Sequence, residues 1–275
     1  MKKEFYSKLS WVDEAVKLGT GLSKSWFRGQ SQPYGELLPA AFRDFNREFF
    51  MKGSQESQFA IHFRRQAPAF SEYTPKDLDH LEWLFLMQHH GTPTRLLDWT
   101  ENVLVALYFA VNSNFDKNGE LWALYPFELN ERSLDRSGIE ITNSKYVKYL
   151  SGEPFHNNPE QLKDELKLER NINGPVAFYP PMRFPRMINQ MSVFTIHPDP
   201  NENNSIEDLL SDNAYLVRYL IPKGRKKDLL TKLHQLGIRE STLFPNLDSL
   251  SKSIQQEMNT VAYSPPEPPH FHDID

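Results

Sequence analysis

Residues 88–110, Gln-His-His-Gly-Thr-Pro-Thr-Arg-Leu-Leu-Asp-Trp-Thr-Glu-Asn-Val-Leu-Val-Ala-Leu-Tyr-Phe-Ala, set titratable and hydroxyl side chains between two apolar helical segments. A connector needs only turn formers and solvated groups, so polar residues held between apolar neighbours read as a preorganised site. Upstream, Thr74-Pro75-Lys76-Asp77 supplies an N-cap, a first-turn proline and an early acid, which predicts a helix running to about His90. Leu78, Leu81, Leu84, Phe85 and Gln88 then form one buried stripe, and Gly91 ends the helix. Thr94–Leu97 reads as extended. Thr100 is placed to cap a second helix, Glu101–Val111, which is apolar almost all round and therefore buried.

Working outward, Ser25–Gly29 reads as a strand whose Trp26 and Phe27 face opposite sides, with Arg28 beside a glycine that permits close approach of backbone or ligand. Strands are also predicted at Leu121–Tyr125 after the Asn118-Gly119 turn, and at Pro175–Tyr179, Met191–His197 and Tyr215–Ile221. Helices are predicted at Ser10–Leu18, Glu56–Phe70, Lys226–Leu236 and Leu247–Asn259. The basic run Lys223–Lys227 opens one of these and belongs at a solvated surface. Irregular alternation of strands and helices favours an α+β fold, a mixed or antiparallel sheet flanked by helices. Residues 1–263 read as one domain with a polar insertion at about 128–172, and 264–275 as a proline-rich tail.

In a chain of 275 residues, a hydrophobic content of 39% is enough to build a core and excludes the disordered class. A net charge of −5 gives no basic excess of the kind that duplex nucleic acid demands. The absence of cysteine removes disulfides, thiolate metal sites and a cysteine nucleophile. No apolar run approaches the roughly 20 residues of a membrane span, and Met1–Tyr6 leads into no signal-length apolar core, so the expected setting is cytoplasmic, away from membranes.

Arg28 carries a planar fork of donors suited to phosphate or carboxylate, against the alternative of a structural ion pair. His89 and His90, adjacent on one helix, point about 100° apart and cannot share a metal from one face. Either one can satisfy a helix-end carbonyl or contact a substrate, His90 being preferred for the second role because it adjoins Gly91. Arg95 and Asp98 either pair as a scaffold or diverge, in which case Asp98 could stabilise a developing cation or act as a general base. Thr92 and Thr94 could donate to a phosphate or sugar. Tyr108 reads as core with a hydroxyl to spare, and Gln190 as the start of a strand, where ligand contacts often lie. No metal site is expected.

Phe27-Arg28-Gly29-Gln30 together with residues 88–110 resembles the bacterial and phage FRG-domain family, named for its Phe-Arg-Gly element. The resemblance runs over about 24–112 and continues weakly to about 200. The order of aromatic-Arg-Gly strand, threonine-rich strand entering a helix, and late strand is also similar to the three-part layout of ADP-ribosyltransferases. That second resemblance implies an ADP-ribosyltransferase-like fold and NAD as substrate. Arg28, with Gly29 and Gln30, would hold the dinucleotide, Thr94, Arg95 and Tyr108 would shape the pocket, and Gln190 would stand where that family has a glutamate. A glutamine lacks the negative charge that stabilises an oxocarbenium-like transition state, so Asp98, or less well Glu101, would have to supply it. The expected function is an NAD-using transferase or glycohydrolase acting as a bacterial or phage toxin or defence effector, on a protein or nucleic-acid acceptor. The alternative is a non-catalytic module that binds a phosphate-bearing ligand, nucleic acid or protein through the same cleft.

Overall fold

The computed structural model describes residues 2–4, 25–43, 52–156, 158–168, 171–199, 205–211 and 215–260. The predicted helix at Ser10–Leu18 and the proline-rich tail lie outside the described residues. A single eight-stranded mixed sheet organises the rest, with order β1-β8-β4-β2-β3-β7-β6-β5. Its strands are β1 Lys2–Glu4, β2 Trp26–Gln30, β3 Leu96–Thr100, β4 Gly119–Leu124, β5 Glu140–Ile141, β6 Val176–Tyr179, β7 Ser192–Ile196 and β8 Leu216–Ile221. The two edge strands pair in parallel, β1 with β8 and β5 with β6, and the interior pairs are antiparallel. The α+β class with a mixed sheet is therefore the observed one.

Strand alternation sorts the core into three clusters. Trp26, Leu97, Trp99, Trp122, Leu124, Ala177 and Val193 point to one face, where Leu129 of α4 (Pro126–Leu134) and Ile206 of α8 (Ile206–Leu209) cover them. The opposite face carries two clusters side by side. Over β2, β4 and β8, Phe27, Leu121, Ala123 and Ile221 meet α3 (Val103–Val111) and α9 (Lys226–Gln235). Over β3, β7 and β6, Leu96, Ile196, Phe194, Phe178 and Val176 meet α2 (His80–His89) and α5 (Lys145–Gly152). Leu134, Tyr146, Val147 and Leu150 belong to this core, so residues 128–172, read from sequence as a polar insertion, help to build the domain.

Two glycines let α3 sit directly on the sheet. A Cβ on Gly29 would lie 1.8 Å from the Ala106 carbonyl oxygen, and one on Gly119 would lie 2.3 Å from that of Ala110. Ala106 and Ala110, four apart on one helix face, thus rest on adjacent strands at backbone distance. The space that a side chain at residue 29 would need is filled by α3, so of the two expectations for Gly29, approach of backbone or of ligand, the backbone one is observed.

Other boundaries shift for local reasons. The helix predicted from Thr74 begins at His80, and Leu78, assigned to its buried stripe, is 84% exposed. Gly91, at φ +79°, stops it as expected. β3 extends through Thr100, so the cap of α3 is Asn102, whose side chain accepts from the Leu104 amide. Gln190 stands at the C-terminal end of α7 (Pro185–Asn189), and β7 begins two residues later. The helix predicted over Glu56–Phe70 runs as α1, Lys52–Gln66, with a 3-10 turn at Ala67–Ala69. Lys226, expected in solvent, is buried and donates to the carbonyls of Ser31 (2.8 Å), Ser113 and Asn114 (2.8 Å), tying β2 to the end of α3. Among the described residues no helix is long and apolar enough to cross a membrane.

Candidate functional site

β2 and β3 pair at only one position, Phe27 opposite Thr100. Beyond that pair the strands part, and the parting falls where the two helical clusters on that face meet. A cavity of about 180 Å³ opens along this seam. Its floor is Phe27, Arg28 and Gly29 from β2, Asp98 to Thr100 from β3 and Ser192 from β7. Val105 and Phe109 of α3 form one wall, and Arg186 and Gln190 at α7 form the other. A shallower extension of about 40 Å³ shares Asp98, Arg186, Gln190 and Ser192 and runs on over Gln88, His89 and Phe184.

Arg28 fills the gap between the parted strands. Its Nη1 donates to the Asp98 carbonyl at 2.6 Å, a group that a closed ladder would have paired, and lies 3.9 Å from the Asp98 carboxylate. The buried Nε of Arg28 has no hydrogen-bond partner. Burial pushes the pKa of Arg28 down to about 10, Asp98 acting in the opposite sense and Arg43 in the same one. The guanidinium stays charged at neutral pH while part of its donor set stands idle.

Asp98 is held from behind. Gln88 Nε2 donates to its Oδ1 at 2.8 Å, and Thr94 Oγ1 in turn donates to Gln88 Oε1. Thr94 is buried, outside the described lining of the seam, and reaches Asp98 through Gln88. The side chain of Asp98 is 58% exposed, so a carboxylate oriented by two partners faces the open seam.

The remaining sequence candidates divide by place. Gln190 lines the cavity, but its amide donates to the Leu243 carbonyl at 3.1 Å and its own carbonyl accepts from Thr100 Oγ1 at 2.6 Å, so it braces the wall. Arg95 lies elsewhere, fully buried and bonded to Glu56, Glu153 and Asp199. Burial alone would lower its pKa, but the three carboxylates raise it above the ordinary value. Every part of its fork is engaged by the fold, which corrects its reading as a pocket-shaping residue. Gln30 is buried on the sheet without partners for its amide and does not line the seam. Tyr108 packs in the α3 core, with burial first and Glu240 second pushing its hydroxyl up to about 12. Glu101 is exposed and is likewise absent from the described lining.

The two histidines separate as the helix geometry requires. His90 is exposed and turns toward a second cavity behind α2, with Thr92. His89, the one sequence reasoning passed over, stacks on Phe184 at 4.4 Å and lines the seam. Burial, then His90 and Arg186, lower its pKa, which favours the neutral imidazole. Arg186, Phe184 and Ser192 were also missed. Arg186 stands over the Phe244 ring at 4.7 Å, and its only sequence signal is a lone arginine inside Phe-Pro-Arg-Met.

Among the described residues no group of three or more metal-ligating side chains comes together. No curated protein and no solved structure matches the chain, so neither comparison supports the ADP-ribosyltransferase resemblance. The family model of the FRG domain matches residues 23–119, a span that includes Arg28, Gly29, Gln88, Asp98 and all of α3, and the chain carries an FRG domain.

Proposed function

We propose that the seam at Arg28 is the ligand site of the FRG domain and that it takes a phosphate-bearing nucleotide, NAD being the first candidate. The observation that carries this reading is a half-buried arginine, its buried Nε left without a partner, lining a cavity that a second arginine, Arg186, also lines. A buried charged donor left without a partner costs roughly 1–3 kcal/mol, which a phosphate oxygen would relieve. The volume, about 180 Å³, suits a phosphate with its sugar better than a whole dinucleotide. The rest of such a ligand would lie over His89 and Phe184, where aromatic surface is available.

Catalysis on this reading rests on Asp98, the one carboxylate among the described lining residues. In NAD cleavage the bond from ribose C1′ to nicotinamide breaks, its electron pair leaves with nicotinamide, and water or an acceptor nucleophile fills C1′ while losing a proton. Asp98 would stabilise the cationic ribose in that step. Titrating the protein with labelled NAD and following nicotinamide release tests the proposal. Asp98→Asn should bind NAD and lose turnover, and Arg28→Ala should lose both. No NAD binding by the native chain would sink the NAD assignment. If the reading holds, expression in cells should deplete NAD and arrest growth, as for a toxin or defence effector.

A second reading, a binding module without chemistry, is favoured by one observation. The Gln190 amide and the Asp98 carboxylate are both already held by protein partners. It predicts saturable nucleotide binding with no nicotinamide release under any acceptor condition.

A further inference from the structure

Behind α2 lies a second cavity of about 470 Å³, larger than the one at Arg28. Its interior is apolar. Phe59 and Phe63, four apart on α1, supply two rings, Leu86 of α2 supplies a buried floor, and Phe70 stands 87% exposed just beyond the 3-10 turn. A cavity of about 150 Å³ lined by such groups is enough for a benzene ring, so this one has room for two or three fused or linked rings. Its polar residues gather elsewhere: His62, Gln66, Ser71 and His90 are exposed, and Thr92 is half-buried. Among the described lining residues there is no carboxylate, whereas two imidazoles, an amide and the Thr92 hydroxyl can donate hydrogen bonds, the Ser71 hydroxyl already donating to the Tyr73 carbonyl at 2.7 Å. An apolar body ringed by donors and free of acidic groups selects a flat apolar molecule with an anionic head.

The cavity is not a branch of the seam. The last turn of α2 divides them, with Phe85, Gln88 and His89 facing the seam and Leu86 and His90 facing the second cavity. The two histidine rings touch edge to face across that turn, their centroids 5.0 Å apart.

We propose that this cavity is a second binding site, for a small aromatic acid, with Phe59, Phe63 and Leu86 holding the rings and His62 and His90 the anionic head. It stands independently of any assignment at Arg28. The probes are 8-anilinonaphthalene-1-sulfonate, an aromatic anion, and N-phenyl-1-naphthylamine, which has the same rings without the charge. Titrating the full chain with the anion should give one saturable fluorescence rise, and Ala67→Phe, which places a ring in the cavity, should weaken it at least tenfold. Arg28→Ala should leave it within twofold. The double variant His62→Leu/His90→Leu should lose severalfold for the anion and little for the neutral probe, with an unchanged near-ultraviolet circular dichroism spectrum confirming the fold of each variant. This double variant tests the site even where Ala67→Phe does not fold. Absence of a saturable rise overturns the proposal, as does equal loss of both probes in the histidine variant or equal binding by a folded Ala67→Phe. A chain that binds neither probe and sediments as a dimer would assign the cavity to a second copy instead.

Discussion

Arg28 and Arg95 lie on or beside neighbouring strands, Arg95 buried and Arg28 half-buried with a buried Nε, yet the fold treats them in opposite ways. Arg95, one residue before β3, is wrapped by Glu56 at 2.8 Å, by Glu153 and by Asp199 at 3.1 Å, with the Phe42 ring 5.8 Å from its guanidinium. Arg28 has one carbonyl, a carboxylate at 3.9 Å and an idle Nε. A buried cation whose donors are all consumed is architecture, because nothing remains for a ligand to bond. A buried cation with donors to spare is either a defect or a site, and its place in an open seam between two cores argues for a site.

The sharpest way to break the contrast is to truncate the satisfied arginine. Arg95→Ala leaves Glu56, which has no exposed surface, as an unpaired buried carboxylate and removes the link between α1, β3 and the segment at Asp199. Loss of about 3–5 kcal/mol is expected, read as the shift in urea midpoint at constant slope. A change under about 1 kcal/mol would mean that the cluster does not hold the fold, since surface changes fall in that range.

Next in size is a pH effect from the far side of Arg95. His197 is buried, its amide donates to the Arg95 carbonyl, and its Nε2 lies 3.0 Å from Thr195 Oγ1. Burial first, then the charges of Arg95 and Arg28, depress its pKa to about 3. In the unfolded chain a histidine titrates near 6.5. Between those values the unfolded state binds the extra proton, so stability rises with pH and is lost as pH falls from about 6.5 toward about 3. The slope from this one group is about 1.4 kcal/mol per pH unit. Denaturation of the native chain and His197→Gln at pH 7, 6 and 5 checks this, and parallel curves for the two would refute it.

A smaller loss is expected at the motif glycine. Gly29→Ala forces a methyl group into the Ala106 carbonyl, so α3 must lift from β2. About 1–3 kcal/mol should be lost, the usual cost of overpacking. Nucleotide affinity, where measurable in the folded fraction, should fall only to the extent that the seam shifts. A stable variant that loses binding outright would return Gly29 to the ligand.

These cases show what was legible in the sequence. Short apolar stretches, one of them marked by the Asn118-Gly119 turn, placed β2, β4, β6, β7 and β8, and the uninterrupted apolar run placed α3, because burial leaves a mark on residue type. The roles of Gly29 and Gly119 were not legible, since a glycine admits a ligand or a helix equally and only the partner element decides. Arg28 and Arg95 were indistinguishable for a similar reason. The partners that consume Arg95 stand at Glu56, Glu153 and Asp199, with sequence separations of 39, 58 and 104 that no local pattern reports. The seam itself arises from a strand pair that parts after one position, and its Arg186, Phe184 and Ser192 reach it from beyond the stretch where the family motif runs. Choosing His90 over His89 followed from proximity to Gly91, whereas the facing of the last turn of α2 depends on where α7 packs.

The smallest expected effect on stability is at Arg28 itself, and there the contrast with Arg95 is most exposed to test. Truncation to alanine loses one hydrogen bond, Nη1 to the Asp98 carbonyl, and at the same time relieves the desolvation of the idle Nε. The two terms oppose, so Arg28→Ala should stay within about 0.5 kcal/mol of the native chain or gain slightly. Nucleotide binding should nevertheless vanish, and Arg28→Lys, which keeps the charge but not the fork, should restore only part of it. A site residue is costly to the fold and needed by the ligand, so the two measurements must move apart. Should Arg28→Ala instead destabilise the protein as severely as Arg95→Ala, both arginines would be scaffold, and the ligand site would have to be sought away from the motif that marks the domain.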